Sequence, residues 1–289
     1  MSDSPTEEIA ICGTGAVART FARLFSRKGA VHIVSRDRVR ADAAAADVSP
    51  KVHAATYDQF PERASRAFIA VTDEAIVKVA AVLCEHPLIR IALHTSGCKD
   101  VEALSPLSSR GVSCGAVHPL QTITGEPDDV DSLCGAAFAI SGSGEAFDWA
   151  QSIAALAGGE PLLLSPGARA VYHAASVFAS NYITACISAG EELLATAGVL
   201  AEQSRRALRR LAETAVRNAC DDGPEKALTG PIARGDAETV GAHLHAIEGH
   251  PTLDSFYRAA GQQALELSER RGLPVKPSQK LRALLTHNS

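Results

Sequence analysis

Short apolar runs recur along the first half of the chain, and stretches with helical periodicity separate several of them. Ile9–Cys12, Ala30–Val34, Val52–Ala55, Ala67–Val71, Ile89–Leu93, Val112–Val117, Ala136–Ser141 and Pro161–Leu164 are rich in Val, Ile, Ala and Leu. Short runs of this kind are the pattern of strands buried on both faces. Ala16–Arg27, Glu74–Cys84 and Glu145–Ala157 have helical patterns, and Thr72 or Asp73 is placed to cap the second of them. Strands alternating with helices predict a doubly wound parallel sheet. The pattern changes at Ser165-Pro166-Gly167. From Ala168 to Leu285 almost no strand signal remains, and helices are expected over 168–197, 202–220, 237–247, 252–271 and from Ser278. The fold class is therefore α/β, with an open-sheet domain over 1–165 and an all-helical domain over 166–289.

The first strand and helix enclose Gly13-Thr14-Gly15-Ala16-Val17-Ala18, which has the order G-x-G-x-x-A. In a strand–turn–helix context this is the Rossmann dinucleotide fingerprint. Gly13 makes the tight turn, Gly15 lets the backbone approach a pyrophosphate, and small Ala18 lets helix and strand pack closely. The amides opening the helix face the phosphates. Thr14, Ala16 and Val17 complete the candidate phosphate turn. An NAD enzyme usually carries an acid at the end of the second strand; here Ser35 and Arg36 stand there, and both can hold a 2′-phosphate. NADP is the expected cofactor, while Asp37, slightly further on, keeps NAD possible. Ligands on such sheets lie beyond the carboxyl ends of the strands. Val71, Thr72 and Thr95 fall at those ends and are further candidate cofactor contacts.

Four residues are candidates for the chemistry or for holding substrate. His118 closes a strand on the cofactor side and can move a proton near neutral pH; the alternative is a histidine that shapes a loop. Ser96 follows the neighbouring strand and can hydrogen-bond a substrate oxygen or the nicotinamide amide, whereas His94 is more simply read as packed at the strand end. Asn181 sits within the long small-residue helix, where Ala174, Val177, Phe178, Thr184 and Ala185 should form a buried face. A buried amide needs partners, either substrate or another helix. Arg234, after Thr229-Gly230-Pro231, can clamp a carboxylate or sit in a capping loop. Gln121, in His118-Pro119-Leu120-Gln121, is a further substrate candidate. No metal-ligand spacing is present.

Bulk properties narrow the class. The 289 residues carry a net charge of −5 with no basic stripe, so nucleic acid is not an expected partner. Seven scattered cysteines show no C-x-x-C pair and read as reduced thiols, as in a cytoplasmic protein. Met1–Glu8 is polar and acidic, unlike a signal peptide, and no run of about 18 apolar residues suggests a membrane span.

With both halves in view the chain resembles Rossmann-like proteins whose C-terminal half is domain of unknown function 2520. The resemblance is carried by 13–18, by Val71-Thr72-Asp73-Glu74-Ala75-Ile76 and by His94-Thr95-Ser96-Gly97. Gly115-Ala116-Val117-His118-Pro119-Leu120-Gln121, Tyr172-His173-Ala174-Ala175 with Ser180-Asn181-Tyr182, and 228–236 carry the rest. It looks like a relative of ketopantoate reductase, pyrroline-5-carboxylate reductase and prephenate dehydrogenase, in the 6-phosphogluconate dehydrogenase C-terminal-like superfamily. His118 is placed like the histidine of the Gly-x-His-Pro motif of prephenate dehydrogenases. The resemblance implies an NADP-dependent oxidoreductase acting on a small oxo acid, ketopantoate being one candidate, and a homodimer formed through the helical half. An imine reductase is the alternative within enzymes, and a non-catalytic dinucleotide sensor or scaffold the alternative outside them. One departure is plain: 168–197 holds no lysine, the residue that ketopantoate reductase uses in its second domain.

Overall fold

The computed structural model describes residues 8–286; the polar stretch ahead of Glu8 lies outside them. Eight strands form one sheet: β1 (Glu8–Cys12), β2 (Val31–Ser35), β3 (Val52–Thr56), β4 (Ala64–Ile69), β5 (Ile91–His94), β6 (Ser113–Pro119), β7 (Ala137–Gly142) and β8 (Glu160–Leu163). Their order is β3-β2-β1-β4-β5-β6-β7-β8. The sequence reverses direction between β1 and β4, the switch point where a doubly wound sheet opens a crevice. Side-chain alternation explains the two-faced burial. Ile11, Ile33, Phe68, Leu93 and Val117 point into one core, with Phe21, Phe25 and Trp149. Ala10, Cys12, Ala67, Ile69 and Ala92 point into the other, with Ile76, Leu83 and Leu104. The strand patterns predict a parallel sheet, but β6 and β7 run antiparallel. An apolar run buried on both faces carries no mark of its direction, so the pattern could not reveal the reversal.

The helices flanking the sheet are α1 (Ala16–Ser26), α2 (Arg38–Val48), α3 (Ile76–Leu83), α4 (Ser105–Ser108), α5 (Asp129–Ser132) and α6 (Gly144–Leu156). A short 3-10 turn, Asp73–Ala75, precedes α3, and Thr72 makes no side-chain cap there, contrary to the expected capping. α7 (Arg169–Ala179) follows β8.

The long helix expected over 168–197 is two helices. α7 stops at Ser180, whose φ of −130° and ψ of −71° leave the helical region, and α8 spans Asn181–Thr196. No proline or glycine marks the break. The chain divides into two compact units between Asn181 and Tyr182, so α7 belongs with the sheet although its composition resembles the helices after it. The expected buried face is not found: Ala174, Phe178, Asn181, Thr184 and Ala185 are exposed and Val177 is half-buried.

The second unit holds most of α8 together with α9 (Ala201–Asp222), α10 (Pro224–Ala227), α11 (Gly230–Arg234), α12 (Ala237–Ala246), α13 (Pro251–Arg270) and α14 (Val275–Thr286). Val240, Leu244, Ile247, Leu265, Leu281 and Leu285 form its core. No helix among the described residues is long and apolar enough to cross a membrane.

Candidate active site

The phosphate turn is built from the end of β1. Gly13 donates its N–H to Val34 O at 3.0 Å, and Ala70 N–H returns to Cys12 O at 2.9 Å, so the turn is tied to both neighbouring strands. Gly13 has φ +132°, and a Cβ there would lie 2.1 Å from Ala70 O. Gly15 is the N-cap of α1. Nothing lies within 4 Å of where its Cβ would be, it makes no side-chain cap, and the first turn holds no acid. The amides of Ala16, Val17 and Ala18 have no partner within the helix by geometry. This open, acid-free helix end fits a pyrophosphate.

At the end of β2, Ser35 Oγ accepts the Asp37 N–H at 3.2 Å. Asp37 caps α2 through Val39 and Arg40, at 2.9 and 3.3 Å, and lies 3.6 Å from the Arg40 guanidinium. Arg38 pairs with Asp42. Arg36 is exposed and forms no ion pair among the described residues. Asp37 is thus occupied by its helix, while Ser35 and Arg36 remain at the strand end.

A second cluster forms where β5 and β6 end. His94 is fully buried, with Nδ1 accepting the Ser96 N–H at 3.2 Å and Nε2 lying 3.1 Å from Asp100 O. Both nitrogens are engaged, and its role is to shape the loop. Ser96 Oγ accepts the amides of Cys98 and Lys99 at 3.1 and 2.9 Å. Thr95 Oγ1 donates to Ile69 O at 3.4 Å, and this side chain too serves the backbone. Val71 is half-buried and Thr72 exposed at the end of β4.

Arg169, the first residue of α7, is fully buried and reaches across this edge. Its Nη2 donates to Ser96 O at 2.6 Å and its Nη1 to Ser141 Oγ at 2.9 Å. One turn on, Tyr172 Oη lies 2.8 Å from His118 Nδ1, and the His173 ring stands edge-on to His118 at 5.9 Å. Gly97 lies between them: a Cβ there would be 3.0 Å from His118 Nε2 and 2.5 Å from His173 Cδ2.

The electrostatics keep this cluster neutral at its centre. Burial, then Arg169 and His173, push the His118 imidazole down to about 4. Burial pushes the Tyr172 phenol up to about 12, against the nearby Arg169 cation. Both are therefore uncharged near neutral pH, and their hydrogen bond holds one proton that either can carry. A neutral pair beside a fixed cation can donate a proton to a developing oxyanion or amide anion and stabilise what remains.

The structure brings Ser96 and His118 to one edge, with Arg169 bonded to Ser96 O and Gly97 packed beside His118. Asn181 is exposed and accepts from Ser180 Oγ at 2.9 Å. Gln121 uses both ends of its amide on the loop after β6, donating to Ser132 O and accepting from Thr122 N, each at 2.8 Å. Arg234 lies in the second unit, exposed at the end of α11. Arg169, Tyr172 and His173 were not singled out for chemistry by sequence reasoning, although Tyr172-His173 stood in the family resemblance. Among the described residues no cluster of His, Cys, Asp and Glu could hold a metal.

Comparisons with known proteins bear on the family and the fold. Residues 8–91 match the family described as NADP oxidoreductase, coenzyme F420-dependent, and residues 136–264 match the domain of unknown function DUF2520. A comparison with curated proteins found no match. Among solved structures, one from Bacteroides fragilis, provisionally named an NADP oxidoreductase, superposes with a TM-score of 0.73 at 21% identity, covering 90% of this chain and 98% of the other. A protein of Thermotoga maritima gives 0.70 at 21%, covering 91% and 99%. A reductive aminase from Aspergillus terreus, in complex with NADPH and ethyl-5-oxohexanoate, gives 0.59 at 17%, covering 97% and 92%. The two family matches and the shared fold together indicate an NAD(P)-dependent oxidoreductase, with the oxidoreductase match over 8–91 and the DUF2520 match over 136–264.

Proposed function

We propose that the protein is an NADPH-dependent reductase of a small oxo acid, with Tyr172 and His118 as its proton-donating pair. The observation that carries this reading is the 2.8 Å contact between two neutral groups at the carboxyl edge of the sheet. Gly13, Gly15 and the opening amides of α1 would hold the pyrophosphate, and Ser35 with Arg36 the 2′-phosphate. Bound there, a reduced nicotinamide supplies the hydride. Tyr172 Oη–H gives its proton to the substrate heteroatom. The tyrosinate left behind accepts from His118 Nδ1–H and lies in the field of Arg169. Ser96 shapes the loop under the pair, and Asn181 is our candidate for anchoring the substrate. NADPH oxidation followed across small 2-oxo acids and cyclic imines tests the reading. Turnover of oxo acids alone supports it. Turnover of imines alone moves the protein to the second reading, which the fold shared with a reductive aminase favours. Tight NADPH binding with no turnover of either class points to a sensor.

Cofactor choice follows from β2. A 2′-phosphate gains charge-assisted bonds at Ser35 and Arg36, and Asp37 is held by its helix. Calorimetry is expected to show NADPH binding about tenfold or more tighter than NADH, about 1.4 kcal/mol, with Arg36→Ala narrowing the gap. Equal affinities in the unaltered protein would overturn the preference.

The helical half is also proposed to form a homodimer. Leu200 and Leu211 are 69% and 68% exposed, and an apolar groove of about 430 Å³, lined by Leu193, Pro231, Phe256 and Tyr257 among others, opens on the second unit. Apolar surface of this kind marks an interaction site. Light scattering at micromolar concentration should give twice the chain mass; a monomer mass excludes the assembly.

A further inference from the structure

The segment that follows β6 is tied down along its length. Leu120 N–H donates to Ala137 O at 2.7 Å. The Gln121 amide bridges Ser132 O and Thr122 N. Ile123 packs against the sheet core. Asp129, only 9% exposed, accepts the Thr124 N–H at 2.8 Å and also the Gly125 N–H, while Thr124 Oγ1 donates to its other oxygen at 3.3 Å. From the opposite side Arg23 of α1 donates Nη1 to Gly125 O at 3.1 Å.

These bonds press the segment onto the phosphate turn. Gly125 is buried with φ +99°, and a Cβ on it would stand 3.3 Å from both Cα and Cβ of Ala16. Ala16 opens α1, at the helix end that fits the pyrophosphate. Connecting loops are ordinarily the mobile parts of a fold. This one carries charge-assisted bonds to a carboxylate, which are about twice as strong as neutral ones. The site already described requires no such restraint on the far side of the turn.

We propose that residues 121–125 are a preformed wall of the dinucleotide site and that Asp129 is the positioning residue that sets it. The inference rests on the NADPH reading above. The wall borders the end where the pyrophosphate would lie and is absent from the end of β2. Loosening it therefore weakens a ligand that carries the pyrophosphate and leaves a ligand read only at β2 unaffected. A substitution that damages the whole unit would weaken both.

The experiment uses the full chain and two probes, NADPH by fluorescence titration and adenosine 2′-monophosphate by its displacement of NADPH. Asp129→Ala is expected to weaken NADPH about tenfold or more while adenosine 2′-monophosphate changes less than about twofold. Hydrogen exchange at the amides of Thr124 and Gly125 should rise in the same variant. Arg23→Gln releases the segment from the other side without touching Asp129, and should show the same pattern if Asp129→Ala fails to fold; Asp47→Asn, which weakens instead the pair that Arg23 also makes with α2, should leave NADPH affinity level. NADPH affinity that stays level while exchange rises overturns the proposal, as does equal weakening of both probes. If the unaltered chain binds no NADPH, the cofactor reading itself fails, and this inference with it.

Discussion

His118→Ala is expected to lower turnover by roughly 10²-fold or more, the contribution of a positioned proton-transfer group. Tyr172→Phe should cost as much, because it keeps the ring against His118 and removes only the hydroxyl that lies 2.8 Å from Nδ1. NADPH affinity should change little in either variant. Turnover unchanged in Tyr172→Phe would remove the phenol from the mechanism and leave His118 as the donor. The pH profile gives a second measurement. Burial holds His118 at about 4, far below the ordinary 6.5, so turnover should stay level where a common histidine titrates and fall only as the pH drops through about 4. His94 is pushed down to about 4 as well, again chiefly by burial. Between that value and 6.5 the unfolded chain binds more protons than the folded one. Stability therefore declines as the pH falls across that window, and is fully present above it.

Gly13→Ala is expected to remove NADPH binding and to lower the melting temperature sharply. A backbone at φ +132° costs an alanine about 1–3 kcal/mol in strain alone. The added methyl would also meet Ala70 O at 2.1 Å. That carbonyl belongs to backbone and cannot swing aside without parting β1 from β4, the pair at the switch point of the sheet. Gly15→Ala is the control. Its methyl would enter open space, so the melting temperature should hold while cofactor affinity falls. A Gly13→Ala protein that melts like the unaltered chain would mean that the turn can reshape, and the tight-turn argument would fall.

Much of the first unit was legible because its signals are local. Gly13, Gly15 and Ala18 declare a strand–turn–helix unit within a few residues. The uninterrupted apolar runs of β1 and β4 mark strands buried on both faces. The strand ends then place Ser96 and His118 at one edge by topology alone. What stayed hidden depends on distant partners. Tyr172 meets His118 across 54 positions, and Arg169 meets Ser96 across 73. Nothing in 168–181 announces either contact, and a helix rich in alanine reads the same whether it joins the sheet or the bundle. The break at Ser180 was equally silent, since serine neither fixes φ nor favours a positive one. The direction of β7 was illegible for the same reason: periodicity records which face is buried, not which way the chain runs.

The anchoring of Arg169 bears on how this chain could be recombined. Composition marks a seam at Ser165, and an exchange of helical halves made there would carry off Arg169 and Tyr172 with the outgoing half. The recipient sheet would keep His118 but lose the guanidinium that grips Ser96 and Ser141, and would depend on the newcomer to restore both. A graft made after Asn181 transfers the bundle and leaves the proposed catalytic edge with its own Arg169 and Tyr172. Exchange of the helical half is therefore tolerated best at a seam that lies inside what looks, on paper, like an uninterrupted helix.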